Sequence, residues 1–333
     1  MKLPFIFADG AIFAAHRKIC VFGEGRGAVK VTFAGNTVYT AAKDGKFRAF
    51  LPAMTYGGPY ELAVADADET LCFTDIYVGE VYIMAGQSNM QFKLNESSFP
   101  VVDYFDDSLL RVFSTDRVED SDTFHAKDGW VGVTKENAGY LTAIGVLTGE
   151  EIRKKKDVPV GIIACYQGAS VIESWLPLEV ASLPQFTVPE DDRFYDHYDS
   201  FYGQWNHNGD LYCAMLPQIV PYSVSGIVWY QGESDVTTSE ALIYKDELLA
   251  MIGLWRSDFL DPDLPFYVIQ IADCDDRAWP CWYAIQKAQA DAADDAKHVY
   301  CIVCRDICES NTIHPTRKYE LSKRLADKIC ETQ

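Results

Sequence analysis

The pentapeptide GQSNM at residues 86–90 is the first feature of the sequence that can do chemistry. It directly follows an apolar run that predicts a strand at residues 76–85. Ligands bind beyond the carboxyl ends of parallel strands, and a serine on a sharp turn there can act as a nucleophile. Ser88 is therefore a candidate nucleophile, and a helix-capping serine is the alternative. Met90 takes the last glycine position of a Gly-x-Ser-x-Gly elbow, which separates this motif from that of the α/β-hydrolases.

His314 lies near the other end of the chain, in the tripeptide IHP that precedes the last predicted helix. A serine nucleophile needs a base within hydrogen-bond reach, and histidine can supply it. A single loop histidine is more often a polar surface residue. The catalytic interpretation therefore depends on His314 meeting Ser88.

Two further polar clusters also follow predicted strands. WYQGESD at residues 229–235 ends an apolar strand in an amide and two acids, which can orient a histidine or donate to an oxyanion. CYQGAS at residues 165–170 follows another strand, where Gly168 can offer its backbone N–H to an oxyanion. Glu173 and Trp175 are expected beside the same cleft. The structural alternatives are a helix cap and an ordinary strand-to-helix turn.

The elements that must position these groups alternate between strand and helix beyond residue 74. This alternation is typical of a parallel sheet covered by helices on both faces. The apolar patterns predict strands at residues 76–85, 158–164, 224–230, 265–272 and 299–303, and helices at 136–156, 239–259, 283–295 and 316–331.

Residues 1–72 follow a different pattern. Short runs alternate with period two and are separated by turn signals, which predicts a small β-sandwich domain of jelly-roll or immunoglobulin-like type. The sequence therefore divides into this domain and a catalytic domain at residues 73–333. The aromatic-rich segment 183–209 fits neither pattern. It is interpreted either as a substrate loop or as a cover packed on the core.

Together these motifs resemble the sialate O-acetylesterase family, a branch of the SGNH/GDSL hydrolase superfamily. GQSNM resembles the nucleophile block of the family, WYQGES its central block and IHP its histidine block, while GGPY at residues 57–60 and VGEV at 78–81 match its long members. The resemblance covers nearly the whole chain. It implies a flavodoxin-like SGNH hydrolase three-layer domain and hydrolysis of O-acetyl esters on sugars, with no metal or organic cofactor.

The resemblance also implies roles for individual residues. Ser88 is expected to be the nucleophile and His314 the base. The backbone N–H groups of Ser88 and Gly168 and the side-chain amide of Gln231 are expected to hold the oxyanion. The residues expected to bind substrate are Gln87, Asn89, Glu173 and Trp175.

The sequence does not decide which acidic residue completes a catalytic triad with Ser88 and His314. The superfamily usually has Asp two or three residues before the histidine, where this chain has Thr312 and Asn311. Glu233 is the favoured substitute, and Asp306 and Glu309 are the alternatives. In two other departures from the family pattern, Gln167 replaces a glycine and Gln286 replaces an arginine that could contact an acidic sugar.

Composition limits the partners. The 333 residues carry 29 Lys+Arg against 49 Asp+Glu, a net charge of −20, which argues against nucleic acid or anionic membranes as partners. An acetylated sugar or oligosaccharide is the expected substrate. The alternatives are an acetylxylan or other plant-glycan deacetylase and, in another class, a catalytically impaired glycan-binding protein. No signal peptide is recognised, which predicts a cytoplasmic protein. The sequence does not indicate the oligomeric state.

Ten cysteines are present, and in the cytoplasm they are expected to be reduced thiols. The spacing of Cys301, Cys304 and Cys308 resembles that of metal ligands. However, the first two flank an apparent buried strand, in which successive side chains alternate faces. No metal site is therefore predicted.

Overall fold

The computed structural model describes residues 1–100, 106–119, 122–193, 201–275 and 281–333. Its strands are β1 (Ile12–Ala14), β2 (Ile19–Glu24), β3 (Ala28–Phe33), β4 (Asn36–Ala41), β5 (Lys46–Leu51), β6 (Gly57–Ala65), β7 (Thr70–Gly86), β8 (Asp107–Ser114), β9 (Trp130–Val133), β10 (Val160–Tyr166), β11 (Gly226–Tyr230), β12 (Phe266–Ile269) and β13 (Val299–Ile302). Its α-helices are α1 (Ser88–Gln91), α2 (Ala143–Lys156), α3 (Leu178–Ala181), α4 (Asp210–Met215), α5 (Thr238–Asp258), α6 (Trp282–Asp295) and α7 (Lys318–Thr332).

Most strand pairs of the N-terminal part are antiparallel, as the alternating sequence pattern predicts, and β1 pairs with β7 in parallel. β3 pairs with β4 and β6, β6 pairs with β7, and β2 pairs with β5. Side chains of β5 alternate strictly between exposed and buried, because one face of this strand contacts the core and the other contacts water. β7 pairs both with the N-terminal strands β1 and β6 and with strands of the second sheet, so it crosses the boundary predicted after residue 72.

The second sheet has the strand order β13-β12-β11-β7-β10-β8-β9. All neighbouring pairs are parallel except β8 with β9. Every residue of β10, β11 and β12 is buried, which is the pattern of parallel strands covered on both faces. The predicted α/β class with a parallel sheet is therefore confirmed.

The strands that follow β7 in the chain lie first on one side of it (β8, β9 and β10) and then on the other side (β11, β12 and β13). β7 pairs with β10 on one side and with β11 on the other, so the carboxyl ends of these three strands lie side by side. In doubly wound sheets this edge is where ligands bind. The topology thus gathers residues 86–88, 166–168 and 230–233 at one place.

Helices cover this sheet in pairs, with α2 packed against α7 and α5 against α6. The predicted helix at residues 136–156 begins later, at Ala143, because Ala138–Tyr140 forms a separate 3₁₀ turn and Thr142 caps α2 through the N–H of Gly145. Among the described residues, no helix is long and apolar enough to cross a bilayer.

Candidate active site

The turn that carries Ser88 is clamped between its two neighbouring strands. Gly86 ends β7 with φ = 135°, and a Cβ at this position would lie 2.1 Å from the carbonyl oxygen of Tyr230, so only glycine fits. The N–H of Gln87 donates to that carbonyl at 3.0 Å, and the N–H of Gln167 donates to the carbonyl of Gly86 at 3.0 Å. Ser88 therefore begins α1 at a fixed position beyond the strand end.

Ser88 and His314 meet despite their separation in sequence. The Oγ of Ser88 lies 2.8 Å from Nε2 of His314, within hydrogen-bond range. His314 occupies the loop before α7, where its backbone N–H donates to the hydroxyl of Thr312 at 3.2 Å. The ring of Phe92 lies 6.2 Å from the imidazole, centroid to centroid. This pair has the geometry of a nucleophile and its general base.

The pair opens onto a pocket of about 570 Å³, which is within the size range of small-ligand sites. Its walls combine amides, acidic side chains and one lysine with a group of aromatic rings. Besides Ser88 and His314 the lining residues include Gln87, Gln91, Phe92, Lys93, Glu96, Glu119, Gln167, Gly168, Phe201, Tyr202, Trp205 and Glu233. Phe201, Tyr202 and Trp205 come from the segment interpreted above as a substrate loop or cover. Residues 194–200 of that segment lie outside the described part of the chain.

Gly168 lies directly beside the nucleophile. A Cβ placed on it would be 3.8 Å from the Cβ of Ser88 and 2.9 Å from Oε1 of Gln91. The indole N–H of Trp205 donates to the carbonyl of Gly168 at 3.0 Å. The next residue, Ala169, has φ = 52°, a strained conformation for a residue with a side chain. Asn206 compensates this strain by donating to the carbonyl of Ala169 at 2.7 Å.

Gln231, expected to hold the oxyanion, is not brought into the pocket. Its side chain is fully buried, and its Nε2 donates to the carbonyl of Ser170 at 2.8 Å and to the carboxyl of Asp235. The amide oxygen accepts from the hydroxyl of Tyr244 at 3.0 Å. Because both amide hydrogens are used within the protein, the expectation for Gln231 is corrected: it braces the strand end.

Glu233 is the candidate acid that the structure places at the pocket. It lines the wall together with Ser88 and His314, and it is 1% exposed. The two alternatives are engaged elsewhere. Asp306 makes two 2.7 Å hydrogen bonds with the guanidinium of Arg324, which lowers its pKa to about 2. Glu309 accepts from the hydroxyl of Thr316 at 2.7 Å.

Asn89 connects three parts of the site. Its Nδ2 donates to Oε1 of Glu233 at 2.6 Å and to the carbonyl of Ile313 at 2.9 Å. Its Oδ1 accepts from the ammonium of Lys318 at 2.6 Å. Asn89 is buried and is not part of the pocket lining, so it is an internal support rather than the substrate ligand that the sequence suggested.

Two other predicted substrate ligands also lie away from the pocket. Trp175 is fully buried, and its ring packs 5.7 Å from that of Trp229 and 6.2 Å from that of Trp255, centroid to centroid. Glu173 is 5% exposed and lies behind the Gly168 turn. Their spacing after the strand led to the wrong expectation, because the turn directs both side chains into the core.

Gln87 does reach the pocket wall, although its side chain is held internally. Its Nε2 donates to the hydroxyl of Ser234 at 3.2 Å, and its Oε1 accepts from the N–H of Gly232 at 3.1 Å. Gln87 therefore ties the nucleophile turn to the end of β11. Gln167 lines the pocket, and its buried Oε1 has no hydrogen-bond partner among the described residues.

Behind the Gly168 turn lies a group of buried carboxyls formed by Glu173, Asp235 and Glu247. Burial and the repulsion among these acids raise the pKa values of Asp235 and Glu247 well above their usual range, and burial also raises the pKa of Glu173. Asp235 accepts from the N–H of Ile172 at 2.9 Å. These acids support the turn and do not line the pocket.

The cysteines are free thiols. Within the described ranges, no group of three or more His, Cys, Asp or Glu residues is arranged to hold a metal ion. Cys304 donates from its thiol to the carbonyl of Gln270 at 3.0 Å.

Comparison with known proteins places this site in a family. The sequence profile of the family described as carbohydrate esterase, sialic acid-specific acetylesterase, matches residues 78–331. Sialate O-acetylesterase of Homo sapiens is 28% identical over 309 residues, covering 83% of this chain and 58% of the human protein. The protein of Rattus norvegicus with the same name is 24% identical over 332 residues, covering 83% of this chain and 61% of the rat protein. The chain thus spans about three-fifths of these relatives.

Two solved structures of other proteins have a similar fold. A carbohydrate acetylesterase from Xanthomonas citri superposes with a TM-score of 0.84 at 29% identity, covering 98% of this chain and 73% of that one. A protein from Arabidopsis thaliana superposes with a TM-score of 0.54 at 16% identity, covering 76% of this chain and 98% of that one. The second likeness shows the fold alone.

Proposed function

Because this chain belongs to the sialic acid-specific acetylesterase family of carbohydrate esterases, we propose that it is a serine hydrolase that removes O-acetyl groups from sugars. The observation that carries the proposal is the 2.8 Å contact between Oγ of Ser88 and Nε2 of His314 at the mouth of a pocket. A sugar-binding protein that had lost catalysis would not need this pairing.

In the first half of the reaction, Ser88 attacks the acetyl carbonyl while His314 takes the hydroxyl proton. Negative charge develops on the carbonyl oxygen. The N–H groups of Ser88 and Gly168, two neighbouring residues of the pocket lining, stabilise this charge. The intermediate then collapses, His314 returns the proton to the departing sugar hydroxyl, and the acetyl group stays on Ser88.

In the second half, His314 removes a proton from water, and the resulting hydroxide attacks the acetyl-serine. Acetate leaves and Ser88 recovers its proton. In both halves the imidazole passes through a cationic state. The carboxylate of Glu233, on the same pocket wall, stabilises that state and takes the place of the missing Asp before the histidine.

For the substrate we propose an O-acetylated sialic acid, as the names of the mammalian relatives suggest. The Phe201, Tyr202 and Trp205 side of the pocket offers apolar surface to a sugar ring. An acetylated xylan or other plant glycan is the alternative substrate. The similarity to the Xanthomonas citri carbohydrate acetylesterase is compatible with either sugar class.

Replacing Ser88 by Ala tests the activity. We expect hydrolysis of p-nitrophenyl acetate and of an O-acetylated sugar to fall by at least about 10⁴-fold, since the covalent route is lost. Wild-type protein incubated in parallel with O-acetylated sialic acid and with acetylated xylan identifies the sugar by acetate release. Retained activity in the S88A variant would refute the mechanism, and glycan binding without acetate release by the wild type would favour a binding protein.

A further inference from the structure

Lys318 is a fully buried cation next to the catalytic pair. It is the first residue of α7, and its Nζ lies 4.9 Å from the ring centroid of Phe92 and 5.3 Å from that of Tyr230. Its ammonium donates to Oδ1 of Asn89 at 2.6 Å. Removing an ammonium from water is costly unless it is paired, and one charged hydrogen bond with two ring faces is the compensation found here.

The lysine determines which way the Asn89 amide faces. An ammonium can only donate hydrogen bonds, so the amide oxygen of Asn89 must face Lys318 and the NH₂ must face away from it. That NH₂ donates to Glu233 at 2.6 Å and to the carbonyl of Ile313, the residue before His314, at 2.9 Å. A rotated amide would place an oxygen against a carboxylate and a carbonyl. Lys318 thereby fixes the contact that holds both the acid and the histidine loop.

The positive charge of Lys318 also affects Glu233. Glu233 is 1% exposed, and a buried carboxylate is stable as an anion only beside positive charge or hydrogen-bond donors. Burial lowers the pKa of Lys318 to about 8, and the nearby acids Cys308, Glu233, Cys304 and Glu309 oppose this decrease. The ammonium and the carboxylate bind opposite ends of one amide, so each favours the charged form of the other.

We propose that Lys318 is a positioning residue of the esterase site: it fixes the Asn89 amide that holds Glu233 and the His314 loop. The inference rests on the proposed function of Ser88 and His314. Lys318 does not touch the reacting atoms, and it acts on them through Asn89 and Glu233.

The variant K318M tests the proposal by removing the charge and the donor while keeping a side chain of similar length. We expect kcat to fall by about 10²-fold because a small displacement of His314 is enough for such a loss, with KM changed by less than about 3-fold. K318Q retains a donor without the charge and should lose about 10-fold in kcat. K323M, at an exposed position of the same helix, is the matched control and should behave as wild type.

The pH profile separates positioning from simple destabilisation. Loss of the ammonium favours the protonated form of Glu233, so the acidic limb of kcat/KM should move to higher pH in both K318M and K318Q. The other groups facing Lys318, which are Cys304, Cys308 and Glu309, are acids and cannot replace its charge. Wild-type kcat and an unmoved acidic limb in folded K318M, or in K318Q if K318M does not fold, would overturn the inference.

A crystal structure of the same variant tests the inference independently of activity. We expect Asn89 to lose its contacts with Glu233 and Ile313, and the separation of Ser88 Oγ and His314 Nε2 to exceed hydrogen-bond range. Unchanged contacts would overturn the role of Lys318 even if the protein is an esterase. A wild type that releases no acetate would instead refute the proposed function, and the structure would still decide the role of Lys318.

Discussion

Two buried carboxyls two residues apart in one strand-end segment have opposite surroundings. Glu233 and Asp235 are each 1% exposed. Glu233 faces the amide of Asn89, which is bound in turn to the ammonium of Lys318. Asp235 is instead buried among other acids, and burial together with repulsion from those acids raises its pKa well above the usual range. We therefore expect Glu233 to be the ionised carboxyl of the two, because a counter-charge lies within its hydrogen-bond network.

The two carboxyls consequently serve different purposes. Asp235 accepts from the N–H of Ile172 and from the amide of Gln231, and burial raises the pKa values of its neighbours Glu173 and Glu247. Glu233 shares the pocket wall with His314. Substitution of Glu233 should therefore change catalysis, whereas substitution of the buried acids around Asp235 should change stability.

Glu233→Gln is expected to have the largest effect on catalysis. It removes the negative charge that stabilises the imidazolium while keeping the side-chain shape, so kcat should fall by about 10²–10⁴-fold. The measurement is steady-state acetate release from p-nitrophenyl acetate. Glu247→Gln is the matched control, because it makes the same change at a buried carboxyl that does not line the pocket. It should keep kcat within about 5-fold of wild type. Equal losses in the two variants would contradict the comparison.

Glu247→Gln is expected to change stability rather than catalysis. The pKa of Glu247 is raised in the folded protein by burial and by Glu173, Asp235 and Glu240, with Arg193 opposing. The unfolded chain therefore loses this proton at lower pH than the folded one. The contribution of Glu247 to folding stability is complete below its unfolded pKa and is lost as pH rises towards its folded pKa, by up to about 1.4 kcal/mol per pH unit.

A glutamine at position 247 does not titrate. The stability advantage of E247Q over wild type should therefore grow as pH rises from 4.5 to 7.5. Urea unfolding at several pH values measures this difference. A difference that stays constant with pH would show that Glu247 is ionised in the folded protein, as Glu233 is proposed to be.

Much of the fold could be predicted from apolar patterns. The fully buried strands β10, β11 and β12 read as continuous apolar runs, and α5 begins within one residue of its predicted start at 239. β8 and β9 were not predicted. β9 has four residues, two of them incompletely buried, and so it carries little period-two signal.

The Ser88–His314 contact could be predicted because a serine after a strand and a histidine before a helix suggested a nucleophile and its base. The residues that support this contact could not be predicted. Glu173, Trp175 and Gln231 follow the correct strands, but the direction of a side chain after a turn depends on tertiary contacts such as the Trp175–Trp229 packing. The burial of Lys318 could have been predicted from the sequence. Lys318 shares the helical spacing of the buried residues Leu321, Ser322 and Leu325 on α7, where a lysine on an apolar face is unusual.

The most direct test of the account is to find the acetyl group on the enzyme. Deacylation limits turnover of an activated ester, so rapid acid quenching with p-nitrophenyl acetate and peptide mass spectrometry should detect acetylation of Ser88. The same peptide from S88A should be unmodified. Acetate release by wild type with acetylation at another residue, or with activity kept in S88A, would contradict the assignment of Ser88 and His314 as the catalytic pair.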